Sequence, residues 1–172
     1  MRLPALVPFI VLFAAACGSS STSPSSSSGG GSSGGGTSTG SSSLTATVDG
    51  VAFKPVTVTA RLGANNGYLE VDATDSALTL LSLAAGPVNG TVGVGTYDVN
   101  SLASAGTNGN YVLVGGTGIW TAALGHGSGS VTITSLSIAG KTASGTFSFV
   151  MSNSTGTSTK TVTNGTFNVT LP

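Results

Sequence analysis

The chain has 172 residues, five Lys or Arg, five Asp or Glu and one histidine, so it is formally neutral at pH 7. Only 6% of it is charged, against about one-quarter of an average protein. So few cations cannot build a basic face for phosphates, which excludes nucleic acid as a partner. The same scarcity excludes an electrostatic grip on lipid headgroups.

Arg2 precedes an uncharged run, residues 3–16, made mostly of Leu, Val, Phe, Ile and Ala. Ala14, Ala15 and Ala16 put small side chains directly before Cys17, the only cysteine. A positive start, a short apolar centre and a small-residue exit form a secretory signal. A transmembrane helix needs about 20 apolar residues; this run is shorter and carries Pro4 and Pro8. A cysteine placed right after the cut resembles the lipobox of bacterial lipoproteins, with Ala14 where that motif usually has Leu. The resemblance implies a signal peptide over residues 1–16, acylation of Cys17 (diacylglycerol, palmitate) and membrane attachment through that lipid. Gly18 rather than Asp after the cysteine implies the outer membrane of a Gram-negative envelope. Ordinary secretion, with Cys17 a bystander, is the other reading of the segment. One cysteine allows no intrachain disulfide.

Residues 18–43 are Gly, Ser and Thr throughout, except Pro24. Nothing there can be buried to offset the entropy of ordering it. Together with Cys17 it reads as a flexible tether over residues 17–43, with a reach of about 30 Å. A glycosylated stalk is the alternative.

Residues 44–172 form one domain of ordinary size, long enough to bury a core without staples. Period-two alternation recurs along it. Leu69, Val71 and Ala73 share one face, with Tyr68, Glu70, Asp72 and Thr74 on the other. Val56 and Val58, Val112 and Val114, Val131 and Ile133, and Leu136 and Ile138 repeat the pattern. It returns in Phe147, Phe149 and Met151, and in Phe167, Val169 and Leu171. The alternate positions are mostly Thr, Ser and Asn, which suits half-buried antiparallel strands. Asp49-Gly50, Asn66-Gly67, Asn89-Gly90 and Asn108-Gly109 offer hairpin turns. Asn164-Gly165 reads equally as a turn or a bulge. No capped 3.6-residue periodicity occurs. The expectation is an all-β fold: an antiparallel sandwich or small flattened barrel of about nine or ten short strands. Gly145-Thr146-Phe147 recurs as Gly165-Thr166-Phe167, so these segments read as the arms of one hairpin. Phe147, Phe149, Phe167 and Val169 are expected on its buried face.

Reactive chemistry is sparse. His126, the only histidine, sits among glycines and serines, and no Gly-x-Ser-x-Gly turn leads into a helix to raise a nucleophile. Zinc needs three or four ligands from His, Cys or carboxylates, and a single histidine does not supply them. Glu70, Asp72 and Asp75 cluster in sequence and offer oxygen ligands for Ca²⁺, although two outward acids two residues apart also describe a plain solvated face. Residues 115–118, Gly-Gly-Thr-Gly, imitate a phosphate loop, but Ile119, Trp120 and Thr121 continue as strand rather than helix. No cofactor is expected. Trp120, Tyr68, Tyr97 and Tyr111 are candidates for stacking against sugars. Trp120 and His126 are the candidate ligand surface.

Residues 44–53, Leu-Thr-Ala-Thr-Val-Asp-Gly-Val-Ala-Phe, resemble the opening of an uncharacterised family of bacterial lipoprotein domains, whose members often have Trp at the place of Phe53. Residues 129–136, 144–149 and 162–167 carry further likenesses. The resemblance spans the whole domain and implies a lipid-anchored β-domain with no known activity and no catalytic residues to carry over. The function expected is that of a non-enzymatic binding or structural module at the envelope, with a glycan or protein partner. The alternative is an envelope-glycan enzyme working through Asp or Glu carboxylates.

Overall fold

The computed structural model describes residues 41–113 and 118–172. Eleven strands occupy them: β1 (Ser43–Val48), β2 (Val51–Phe53), β3 (Pro55–Leu62), β4 (Leu69–Asp75), β5 (Thr79–Ala85) and β6 (Gly95–Asp98) come first. They are followed by β7 (Asn108–Leu113), β8 (Ile119–Ala122), β9 (Ser128–Ser137), β10 (Thr142–Asn153) and β11 (Thr159–Thr170). Two short 3₁₀ turns, Ala64–Asn66 and Leu102–Ser104, are the only helical elements described. The all-β fold is as expected from the alternation. The signal peptide, Cys17 and almost all of the tether lie outside the described residues. β1 starts at Ser43, the last residue assigned to the tether, and the Ser42 hydroxyl accepts a hydrogen bond from Thr170 N (3.0 Å).

All pairings are antiparallel, along the path β2-β1-β11-β10-β8-β7-β5-β4-β3, with β9 joined to β10 and β6 to β9. β10 serves both layers. Its residues up to Val150 pair with β9, whereas Ser152 and Asn153 pair with β8. β3, at the far end of the path, packs back against β1 and β11. The sheet is therefore a flattened, nearly closed barrel, an arrangement that shelters most strand edges.

One core fills the space between the layers. Leu69, Val71, Ala73, Leu81 and Leu83 come from β4 and β5. Val131, Ile133, Phe149, Met151, Val162 and Val169 come from β9, β10 and β11, and all of these are essentially inaccessible to solvent. The repeated Gly-Thr-Phe triplets lie directly opposite each other, Gly145 against Phe167, Thr146 against Thr166, and Phe147 against Gly165. A Cβ on Gly145 would come within 2.6 Å of the Phe167 ring, and one on Gly165 within 2.6 Å of the Phe147 ring. Each phenylalanine therefore lies over the glycine of the other triplet, the packing by which aromatics cover bare glycines in sheets. All four expected core residues are buried. On the outer face Thr45, Thr166, Thr146, Thr132 and Thr96 make one row across five strands. Thr45 and Thr166 share a hydroxyl hydrogen bond of 2.8 Å, and Thr96 and Thr132 one of 2.9 Å.

Several local expectations need correction. Asp49 and Gly50 do form the two-residue turn between β1 and β2, both with positive φ (48° and 81°). At Asn66-Gly67 the positive φ values fall on Asn65 and Asn66 instead, within a longer loop. Asn89-Gly90 lies in the β5–β6 connection, which is no hairpin because β5 pairs with β7. Asn108-Gly109 is strand: a Cβ on Gly109 would meet Phe149 and Met151, so the glycine is there for close approach, not for a turn. Asn164-Gly165 is a bulge, with Asn164 at φ 52° and a register slip against β10. Val56 points outward because the β3–β4 register slips between Pro55 and Thr57. In β7 the inward phase belongs to Gly109 and Tyr111, which leaves Val112 outside the core. Val114 lies outside the described residues. Leu136 packs on the core, but Ile138 lies beyond the end of β9 and is exposed.

Candidate functional site

Trp120 belongs to a buried row that runs out to one end of the barrel. It lies opposite Tyr111, Tyr111 opposite Leu81, and Leu81 opposite Ala73. The last two are fully buried, whereas Trp120 is half-buried where the row ends. Its ring stands 6.0 Å from that of Tyr111 at an interplanar angle of 57°. A Cβ on Gly118 would run into the indole, so this glycine leaves room for the ring. The indole Nε1 donates to Ser158 Oγ at 3.1 Å, which ties Trp120 to the β10–β11 loop.

Lys160 reaches the same place from β11. It lies opposite buried Met151, hence on the inward phase. Its Nζ stands 5.4 Å from the Trp120 ring centre and 5.9 Å from that of Tyr111, within range of cation–π attraction. Asp49, at the β1–β2 turn, pairs with this ammonium at 2.7 Å and accepts a 2.8 Å hydrogen bond from Thr161 N. The Lys160 hydrogen bond, with that of Thr161, holds the Asp49 carboxyl below its ordinary range. Asp49 in turn raises the pKa of Lys160. The ammonium that lies against the aromatic pair is therefore also compensated by Asp49.

Lys160, Tyr111, Asp49, Asp75 and Phe53 line a pocket of about 260 Å³. A larger groove, about 690 Å³, is lined by Ile119, Trp120, Thr121, His126 and residues 152–155. Lys160 and Tyr111 do not line the groove, and Trp120 does not line the smaller pocket. Ile119, 61% exposed, adds an apolar surface beside Trp120.

His126 enters the groove from the turn between β8 and β9. Ala123 and His126 exchange two backbone hydrogen bonds (2.7 and 2.8 Å), and Gly125 and Gly127 carry positive φ (80° and 70°). A Cβ on Gly127 would strike the Val150 carbonyl oxygen, so only glycine lets this turn press against β10 where that strand passes from β8 to β9. The histidine is exposed beside the Leu124-Gly125 tip that it closes with Ala123. The two residues of the candidate ligand surface therefore share one groove, brought together because Trp120 lies opposite Asn153 of β10. Tyr68 and Tyr97 lie elsewhere. The Tyr68 ring covers Gly63, and the Tyr97 hydroxyl donates to Gly93 O (2.9 Å) and accepts from Gly93 N (3.0 Å). Residues 115–117, most of the glycine-rich run, lie outside the described residues.

No carboxylate lines the groove. Glu70 pairs with Arg61 at 2.7 Å. Asp75 Oδ1 accepts from Ala77 N and Thr79 N in the β4–β5 turn, and Asp98 Oδ1 from Asn100 N. Glu70, Asp72 and Asp75 are not gathered into a cation site: among the described residues, no three His, Cys, Asp or Glu are placed to hold a metal. Sequence reasoning missed Lys160 and Ser158, because only the pairing of β8, β10 and β11 places them beside Trp120; it missed Ile119 because nothing local marks that side chain as part of a groove.

Comparison with known families adds one finding. The sequence profile described as a domain of unknown function, DUF6252, matches residues 40–170. No curated protein and no solved structure matches the chain.

Proposed function

We propose a lipid-anchored, non-enzymatic binding module of the bacterial outer membrane, starting from the fact that the chain belongs to the DUF6252 family of domains of unknown function. The observation that carries the binding role is the groove, where an aromatic, an exposed aliphatic and several neutral polar side chains converge without a carboxylate. Its place on the domain fits an anchored protein. β1 begins at Ser43, level with Asn168 and Ser144, whereas Trp120 lies opposite Asn153, nine residues further along β10. At about 3.3 Å per residue that separation is about 30 Å. The described chain therefore starts at the end of the domain remote from the groove. The absence of Asp and Glu from the groove supports binding over glycan hydrolysis, which uses a pair of carboxylates.

Two measurements test this. Palmitate labelling in cells should mark the protein and be lost in Cys17→Ser; equal labelling of the two refutes the anchor. Full-length protein in detergent should co-sediment with isolated envelope material, and Trp120→Ala, checked for folding by circular dichroism, should not. Equal retention of the two proteins refutes the groove as the binding site.

A further inference from the structure

We infer that the ligand of the Trp120 groove is an uncharged glycan chain. This rests on the preceding reading that the groove binds, and it specifies the chemistry bound. Charge is the first argument. The groove offers no Lys, Arg, Asp or Glu, and the Lys160 ammonium, 5.4 Å from the centre of the indole, does not line it and is paired with Asp49. An acidic ligand would find no counter-charge there, and a basic one no carboxylate. A neutral ligand is the complement of a groove whose single titratable side chain, His126, is neutral in the formal charge count at pH 7.

The kinds of side chain present narrow the class further. Trp120 and Ile119 supply an apolar surface for the C–H face of a pyranose ring, the amphipathic role suited to an indole. Hydroxyl and amide groups surround it: Thr121, Ser152, Asn153, Ser154 and Thr155. Asn153 is already held, its Oδ1 accepting from Ser158 N (3.1 Å) and its Nδ2 donating to Thr157 Oγ1 (3.2 Å). Thr121 donates to Asn110 Oδ1 (3.0 Å), which leaves its oxygen as an acceptor. Hydroxyls that both donate and accept match a ligand whose own hydroxyls do the same.

A peptide strand is disfavoured by the backbone. Strand addition needs an unpaired edge, and β8, the strand beneath the groove, is paired with β7 on one side and β10 on the other. Apart from the backbone of Gly118, the ligand meets side chains. The groove is also open at the surface and of a volume within the usual range for small-ligand sites, about 300–1,000 Å³, which suits a few sugar rings of a longer chain.

Trp120 is the only tryptophan in the chain, so tryptophan fluorescence reads this groove alone. Full-length protein in detergent would be titrated with cellotetraose, chitotetraose and maltotetraose, and with tetragalacturonate as the charged counterpart. Saturation-transfer NMR on the same sugars serves the Trp120 variants. Saturable change of Trp120 emission by at least one uncharged sugar is expected. The NMR signal should vanish in Trp120→Ala, persist weakened in Trp120→Phe, and fall by about tenfold in affinity in Ile119→Ser, as one apolar contact is lost. Tetragalacturonate binding as tightly as the best neutral sugar overturns the inference. So does silence with every neutral sugar while envelope material still binds in a Trp120-dependent way, an outcome that leaves the groove reading intact. If neither sugars nor envelope material respond to Trp120, both statements fall.

Discussion

Phe149 is wedged between two glycines, and adding one methyl group to the wedge tests how tightly the barrel is filled. A Cβ at Gly109 would stand 2.7 Å from Phe149 Cε2, 2.8 Å from Cδ2 and 2.9 Å from Met151 Cε. Ordinary carbon contacts lie at about 3.5–4.0 Å, so ring and methyl must each give way by about 1 Å. The ring has nowhere to go, because its other edge rests on Gly129, where a Cβ would stand 2.7 Å from Cδ1. Overpacking of this kind costs roughly 1–3 kcal/mol. Gly109 has no positive φ, so alanine also restricts the unfolded chain and returns about 0.4–1 kcal/mol. Gly109→Ala should therefore destabilise by about 1.5 kcal/mol net, a fall in Tm of about 6 °C for a domain of this size. Pairing it with Phe149→Leu removes the collision, so the double variant should be more stable than the sum of the singles by about 0.5–3 kcal/mol. Urea titrations and thermal melts followed by circular dichroism measure all four corners of the cycle. Gly109→Ala at or above wild-type stability, or additivity within about 0.3 kcal/mol, would refute the packing argument.

Three further outcomes are expected. Asp49 has a lowered pKa, so its contribution is complete above the ordinary carboxylate value of about 3.9 and is lost as pH falls through the folded value. Lys160 has a raised pKa, so its contribution is complete below about 10.4 and is lost as pH rises through the folded value. The pair is partly exposed and worth about 0.2–1 kcal/mol; Asp49→Asn should weaken the acid limb of the stability profile, and an acid limb equal to wild type would disprove the coupling. Phe147→Ala and Phe167→Ala should each lose roughly 3–5 kcal/mol, while Thr146→Ala on the outer face should stay within about 0.5 kcal/mol; melts within a few degrees of wild type for both phenylalanine variants would contradict the register. Asn164 sits at φ 52° in the bulge, so Asn164→Ala should cost about 1 kcal/mol and Asn164→Gly little, and equal urea midpoints for these two variants would contradict the left-handed bulge.

The β10–β11 hairpin was readable from the sequence because its alternation is long and aromatic, unbroken in β10 and resumed after the bulge in β11, and because the two Gly-Thr-Phe triplets mark the strands that pair. β4 was readable for the same reason, with Leu69, Val71 and Ala73 all fully buried. The failures share a cause. Asn108-Gly109 has turn chemistry, yet its glycine serves a ring contributed by β10, far away in sequence. Val56 obeys the alternation of β3, yet a one-residue slip turns it to solvent. The site was half readable: Trp120 and His126 stand out as the only residues of their kind. Nothing local shows that β8 and the turn before β9 follow one another along β10, and that succession makes them neighbours.

The central claim is that the accessible side of Trp120 is a binding surface, and acrylamide quenching of this single tryptophan in the presence of envelope material tests it most directly. Free protein should be quenched efficiently, because the half-buried indole lines an open groove. Saturating envelope glycan should lower the quenching slope, and the protection should disappear when the material is digested to monosaccharides. A slope that stays the same while the protein demonstrably co-sediments with that material would place binding elsewhere on the domain and contradict the account.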